Sequence, residues 1–161
     1  MAKKIAKTNA LRLLDAAKIA YSIHNYSIDD DLIDGASVYK KLGLPSEAFF
    51  KTLIARGKSK EIYVFVVPVL AALDLKKAAK AASEKSIELT AMKELLTLTG
   101  YIRGGCSPVG MKKHYQTFFD HSIDTLEKVY VSAGKKGILM ELTPNDLIRI
   151  TEGKSIALCT N

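Results

Sequence analysis

Cysteine is scarce in this chain, and the scarcity excludes a good deal. Cys106 and Cys159 are the two present. They lie far apart and match no metal or redox spacing, so a reduced, cytoplasmic setting is the expectation. Long apolar runs are missing as well. None approaches the ~20 residues of a membrane span. The start, Met1 to Lys7, is basic, and Lys7, Arg12 and Asp15 break up the apolar residues near it. No signal-peptide apolar region is expected there, nor a membrane partner. His24, His114 and His121 lack an i,i+4 spacing, and no Asp or Glu completes a zinc or magnesium set, so no metal and no cofactor is called for. The G-x-S-x-G elbow is absent, which leaves Ser107 without a nucleophile's setting. With no arginine-rich tail and no helix-turn-helix signature, DNA is not an expected partner.

What remains is 161 residues, 48% hydrophobic and 25% charged. That suits one globular domain, 1–161, with a sizeable core. Net charge is +7, which alone leaves a polyanion partner and a solvated lysine surface both open. Lysine pairs fall at Lys40-Lys41, Lys76-Lys77, Lys112-Lys113 and Lys135-Lys136.

The periodicity predicts mixed elements. Thr8 caps a helix to about Ala20, a strand covers Tyr21 to Ile28, and Asp29-Asp30-Asp31 breaks it. Ser37 caps a short helix that Gly43 ends. Phe49 to Arg56 and Ile62 to Val67 read as a hairpin, the second strand apolar enough to be covered on both faces. Helices follow at Asp74 to Ala82 and, capped by Thr90, at Ala91 to Leu98, with a short strand at Ile87 to Leu89 between them. Strands at Thr117 to Asp120, Val129 to Ser132 and Ile138 to Leu142 precede a helix opened by Thr143-Pro144. A last strand falls at Ile156 to Leu158. Without a βα repeat or a longer internal period, the expected class is one mixed α+β domain.

Two anomalies point to chemistry. Arg103-Gly104-Gly105-Cys106-Ser107-Pro108-Val109-Gly110 holds three of ten glycines and one of four prolines. Such a loop is stiff and presents bare backbone N–H groups, though Gly and Pro also mark ordinary turns. Lys51 is the second anomaly. It shares a strand face with Phe49, Leu53 and Ala55, and Thr52 takes the other face. Its ammonium either snorkels out at a sheet edge or enters a pocket and holds an anion. Cys106 is a nucleophile only if its thiolate is favoured, and otherwise a small buried thiol. Ser132, before a Gly-Lys-Lys-Gly turn, either donates to a ligand or satisfies the turn. Tyr26 is a core edge or a site hydroxyl.

Taken in order, several short motifs resemble the YbaK/EbsC family of freestanding aminoacyl-tRNA deacylases, which is related to the editing domain of bacterial prolyl-tRNA synthetases. They are Ile23-His24-Asn25-Tyr26, Lys40-Lys41-Leu42-Gly43-Leu44, Phe50-Lys51-Thr52-Leu53, Leu73-Asp74-Leu75-Lys76-Lys77, Thr99-Gly100-Tyr101, the GxxPxG loop Gly105 to Gly110, and Tyr130-Val131-Ser132-x-Gly134-Lys135-x-Gly137. The likeness runs from about Thr8 to Leu158. It implies a mixed β-barrel-like sheet surrounded by helices. It implies trans-editing hydrolysis of misacylated tRNA, Cys-tRNA(Pro) being the best-known substrate type, with a non-catalytic tRNA- or synthetase-binding module as the alternative. The implied partners are the aminoacylated 3′ end of tRNA and a prolyl-tRNA synthetase. The implied catalytic set is Lys51 with Gly105, Pro108 and Gly110 of the loop. Tyr26, Thr52 and Ser132 are implied substrate contacts, and Lys112 and Lys113 are candidates beside the loop. The chain departs from the family pattern at Asp34, where phenylalanine is usual, and at Leu139, where aspartate is usual. Glu141 lies two residues on, on the same strand face.

Overall fold

The structure is a computed structural model and describes residues 7–30, 32 and 34–160. The basic start, Met1 to Ala6, and Asp31 of the acidic break lie outside the described residues.

Local chemistry sets most element ends. Helix α1 (Asn9–Ala16) is capped by the Thr8 hydroxyl, which accepts from Leu11 N, and it buries Ala10, Leu11 and Leu14. It stops four residues short of the expected end, and Lys18 turns the chain at φ 59°. Strand β1 (Ser22–Asn25) follows. Helix α2 (Gly35–Leu42) is capped by Asp34, not Ser37. The Asp34 carboxylate accepts from both the N–H and the hydroxyl of Ser37, because only a residue preceding the first turn can reach the free N–H groups there. Gly43 ends α2 at φ 64°.

The hairpin is β2 (Phe50–Gly57) with β3 (Ile62–Pro68), in register from Phe50 opposite Pro68 to Arg56 opposite Ile62. Asp74 caps α3 (Leu75–Ala82), and β4 (Ile87–Leu89) comes next. Thr90 does not cap the following helix. Its N–H and hydroxyl both donate to the Ile54 carbonyl, at 3.0 and 3.1 Å. The chain then passes through a 3₁₀ turn (Met92–Glu94) into a short α4 (Leu95–Thr99). The rest is β5 (Gln116–Asp120), a 3₁₀ turn (His121–Thr125), β6 (Val129–Lys135), β7 (Ile138–Leu142), α5 (Pro144–Thr151) and β8 (Lys154–Ile156).

The strands form two sheets, ordered β1-β7-β6 and β4-β2-β3-β5-β8. The first is antiparallel. The second is mixed, since β3 to β5 and β5 to β8 are parallel. One parallel bridge, Phe49 to Tyr130, joins the sheets. The arrangement is barrel-like but open, because pairing between β2 and β6 stops at that bridge.

β3 is covered on both faces, as its apolar run requires. Val64 and Val66 pack with Leu11, Phe119, Val131 and Met140 on one side. Phe65 and Val67 pack with Ala55, Ala78, Phe118 and Leu158 on the other. There the Phe65 and Phe118 rings stack at 5.6 Å. A third cluster of Val38, Phe49, Val69 and Leu139 fills the corner where α2 meets the bridge. Among the described residues, no helix is long and apolar enough to cross a membrane.

Candidate active site in a cleft between two strands

Past the Phe49–Tyr130 bridge the two strands leave a cleft of about 400 Å³, a size that holds a small ligand. Phe50 to Ile54 line one wall and Ser132 the other. Arg103, Gly104 and Cys106 of the glycine loop close one side, and Leu89 to Met92 with Leu95 the other. Tyr26, Asp34, Gly35, Val38, Phe49 and Leu139 form the remaining wall.

Lys51 and the loop therefore share one site, though they lie far apart in the chain. Lys51 is half-buried and has no ion pair or hydrogen bond among the described residues. Burial holds its pKa below the ordinary lysine value. Among the described residues, Cys159 acts in the other direction, by a smaller amount. An ammonium kept charged at such a cost is poised for an anion. Thr52 lines the same cleft as Lys51 although strand alternation gives them opposite faces. The reason is that the cleft runs along the edge of β2, where both faces open into it.

The loop is held rigidly. Gly104 adopts φ 83°, a conformation that favours glycine. Gly105 N donates to Ile102 O at 2.9 Å. A Cβ on Gly105 would lie 3.0 Å from Lys136 N and 3.1 Å from Lys135 Cα and C, so the loop rests directly on the β6–β7 turn. The Tyr26 hydroxyl donates to Gly104 O at 3.3 Å. The N–H groups of Gly104 and Cys106 have no hydrogen-bond partner among the described residues.

The remaining candidates separate. Pro108 and Gly110 do not reach the cleft. They line a second cavity of about 220 Å³ with Lys113, Tyr115 and Thr117. Gly110 is locked from the other side, where Asn9 Nδ2 donates to its carbonyl at 2.7 Å, and the Tyr101 hydroxyl donates to Val109 O at 2.7 Å. These two contacts pin the second half of the motif to the start of α1 and to Tyr101. Lys112 and Lys113 are exposed outside the cleft. Ser132 lines the cleft, and its hydroxyl satisfies the turn by accepting from Gly134 N at 3.3 Å. Ser107 is fully buried and its hydroxyl accepts from Val109 N.

Cys106 is not an activated nucleophile. Burial pushes its thiol up to about 12, against a small opposing hydrogen bond from Thr99. Burial also pushes Cys159 up to about 12, helped by Asp120. Both thiols should alkylate at least a hundredfold more slowly than free cysteine at pH 8, since only thiolate reacts. Iodoacetamide labelling followed by intact mass reads this, and fast labelling of Cys106 would restore it as a nucleophile.

Sequence reading gave no role to Arg103 or to the rim at Leu89, Met92 and Leu95. Arg103 opens the glycine loop and lowers the Asp34 pKa, after the larger effect of Ser37. Exposed leucines and methionines carry no one-dimensional mark of a rim. Glu141 does not line the cleft. Its Oε1 lies 2.9 Å from His24 Nε2, and it also engages Tyr130. Leu139 itself is buried beside Val38 and Phe49. Asp34 is the one carboxylate on the cleft wall among the described residues. They also contain no group of three metal-ligating side chains.

The fold and cleft define a class: an open two-sheet α+β domain whose apolar cleft is lined by a half-buried lysine and by loop residues whose amides, like the ammonium, have no partner among the described residues. Comparison places it more narrowly. The sequence profile of the aminoacyl-tRNA editing domain matches residues 33–150. The chain is 39% identical over 162 residues to the "Putative Cys-tRNA(Pro)/Cys-tRNA(Cys) deacylase EbsC" of Enterococcus faecalis, covering 99% of both chains. Its fold matches a crystal structure described as "a putative trans-editing enzyme for prolyl tRNA synthetase" at TM-score 0.81 and 20% identity, over 98% of this chain and 100% of that one. A solved hypothetical protein matches at TM-score 0.86 and 22% identity, over 95% and 100%. The chain belongs to the aminoacyl-tRNA editing domain family.

Proposed function

We propose that this chain, as a single domain over 1–161, is a trans-editing deacylase that releases cysteine from Cys-tRNA(Pro). The observation that carries the reading is the joint placement of Lys51 and the unpartnered amides of Gly104 and Cys106 on one cleft. Lys51 holds the phosphate or ribose region of the acylated terminal nucleotide. The loop amides face the ester carbonyl and stabilise its tetrahedral oxyanion, a donor type whose loss costs ~10²–10³ in rate. Tyr26 fixes the Gly104 peptide, and Ser132 and Thr52 contact the bound end.

Among the described residues, no general base stands in the cleft. His24 is engaged with Glu141 outside it, and Asp34 is occupied as a helix cap. The substrate's thiol then attacks its own ester carbonyl. A C–S bond forms, the ester C–O bond breaks, and the thiol proton ends on the released ribose hydroxyl; the strained cyclic thioester that leaves is then opened by water, whose OH goes to the acyl carbon and whose proton returns to sulfur, giving cysteine. Positioning of this kind contributes about 7–11 kcal/mol of barrier in favourable cases. Prolyl-tRNA synthetase is the proposed source of substrate, in a reducing cytoplasmic setting. The test is a deacylation panel of several mischarged tRNAs, with Cys-tRNA(Pro) expected to be cleared fastest. A second reading, a module that holds tRNA without turnover, is favoured by the absence of a carboxylate at the buried, apolar Leu139. Binding without release from any tRNA on the panel would select it.

Lys112 and Lys113 sit exposed just past the loop, and we assign them to the tRNA backbone. If each neutralises one phosphate, the double change to Ala should reduce the slope of log K against log salt by about two. An unchanged slope would make them solvated surface only.

A further inference from the structure

One flank of β2 is only partly covered. Val69 N donates to Phe49 O at 2.7 Å and Gly57 N to Glu61 O at 2.9 Å, so the odd-numbered residues of β2 bond toward β3. Antiparallel alternation turns the N–H and C=O of Phe50, Thr52, Ile54 and Arg56 the other way. On that side β4 covers Ala55–Gly57, and Thr90 covers the Ile54 carbonyl. The Phe49–Tyr130 bridge covers the opposite end. Between them the Thr52 N–H has no partner among the described residues, and it borders the cleft. An unpaired edge group beside apolar walls is costly to leave empty.

We propose that this short edge, the Phe50 carbonyl with the Thr52 N–H, reads the base of the tRNA's terminal adenosine. The proposal rests on the deacylase reading for the identity of that nucleotide. Single-stranded RNA ends are recognised by hydrogen bonds to base edges and by packing on the base faces. Adenine places an amino donor next to a ring acceptor. A strand edge places the C=O of one residue next to the N–H of the residue two further on, aimed the same way, and the two patterns are complementary. The unpaired run is too short to add a peptide strand, which leaves a compact planar heterocycle as the occupant. Leu89 and Met92, 50% and 59% exposed on the same rim, supply apolar surface, and a thioether packs well against a ring.

The amide spectrum of the protein titrated with adenosine 5′-monophosphate tests the proposal directly. The Thr52 resonance should shift saturably, and at least threefold more weakly with inosine 5′-monophosphate, which lacks the amino donor. No shift, or an equal response to both, overturns the proposal. A second arm uses cysteinyl minihelices ending in adenosine or in 1-deazaadenosine, which keeps the amino donor but lacks the ring acceptor that faces the Thr52 N–H. The wild type should show a three- to tenfold higher KM for the latter, the worth of one neutral hydrogen bond. Thr52→Pro removes the N–H at a position where the sheet does not use it, and it should lose that preference. Thr52→Val, which retains the N–H, should keep it. Equal KM values in the wild type would remove the base site and leave the deacylase reading standing. A selective Thr52 shift without turnover of any minihelix would do the reverse.

Discussion

Lys51→Ala should lower kcat/KM for deacylation by about 10² or more while the fold persists. The size follows from losing a charge-assisted contact in a partly dry cleft, where such bonds are worth about 1.5–3 kcal/mol, and from the positioning that contact imposes. The fold does not need the ammonium, which makes no ion pair or hydrogen bond among the described residues. Lys51→Met should lower turnover to the same degree and raise the melting temperature at neutral pH, because burial disfavours the charge. The sign is set by linkage. The folded pKa lies below the unfolded value, so between the two the unfolded chain holds more protons, and wild-type stability rises with pH there. Below that window the destabilisation is fully present, and Lys51→Met relieves it. The same depression makes activity fall on the alkaline side before free lysine would titrate. Turnover by Lys51→Ala at the wild-type rate would remove Lys51 from the site.

Much of this was legible in one dimension because local rules dominate where elements are short and well capped. Thr8, Asp74 and the Thr143-Pro144 pair mark helix starts that the structure keeps. The β2–β3 hairpin follows from an apolar run that only a doubly covered strand explains. Two caps were misplaced, one for a local reason and one for a tertiary one. Ser37 and Thr90 have the right chemistry, but Asp34 lies nearer the free N–H groups of α2, and Thr90 is drawn to the Ile54 carbonyl by the end of the β2–β4 pairing. Propensity does not see a tertiary acceptor. The site divided in the same way. Lys51 and the glycine loop stand out as breaks in pattern, but which half of the loop meets the cleft depends on how Tyr101 and Asn9 pin the other half. The cleft's position along a strand edge, which admits both Lys51 and Thr52, is a property of where pairing stops. No residue type announces that.

Gly105→Ala should cut kcat about a hundredfold with a modest loss of stability. The added methyl meets backbone, Lys136 N at 3.0 Å and Lys135 Cα and C at 3.1 Å, and backbone cannot rotate away as a side chain can. Either the loop or the β6–β7 turn must shift by some tenths of an ångström. Overpacking of this kind costs about 1–3 kcal/mol, or roughly 2–12 °C in melting temperature at this size. The catalytic loss should be larger, because Gly104 and Cys106 flank the displaced residue and their amides must meet an oxyanion at a fixed distance. Losing one such donor outright costs ~10²–10³ in rate, and a tilt that takes both amides off the oxyanion reaches the lower end of that range. KM should change little if Lys51 supplies most of the ground-state hold, so kcat and KM separate the two halves of the site: Lys51→Ala moves both, Gly105→Ala mainly kcat. A Gly105→Ala protein with lowered melting temperature and wild-type kcat would mean that the loop amides do not face the reacting carbonyl. The oxyanion would then have to be held from the Ser132 wall instead.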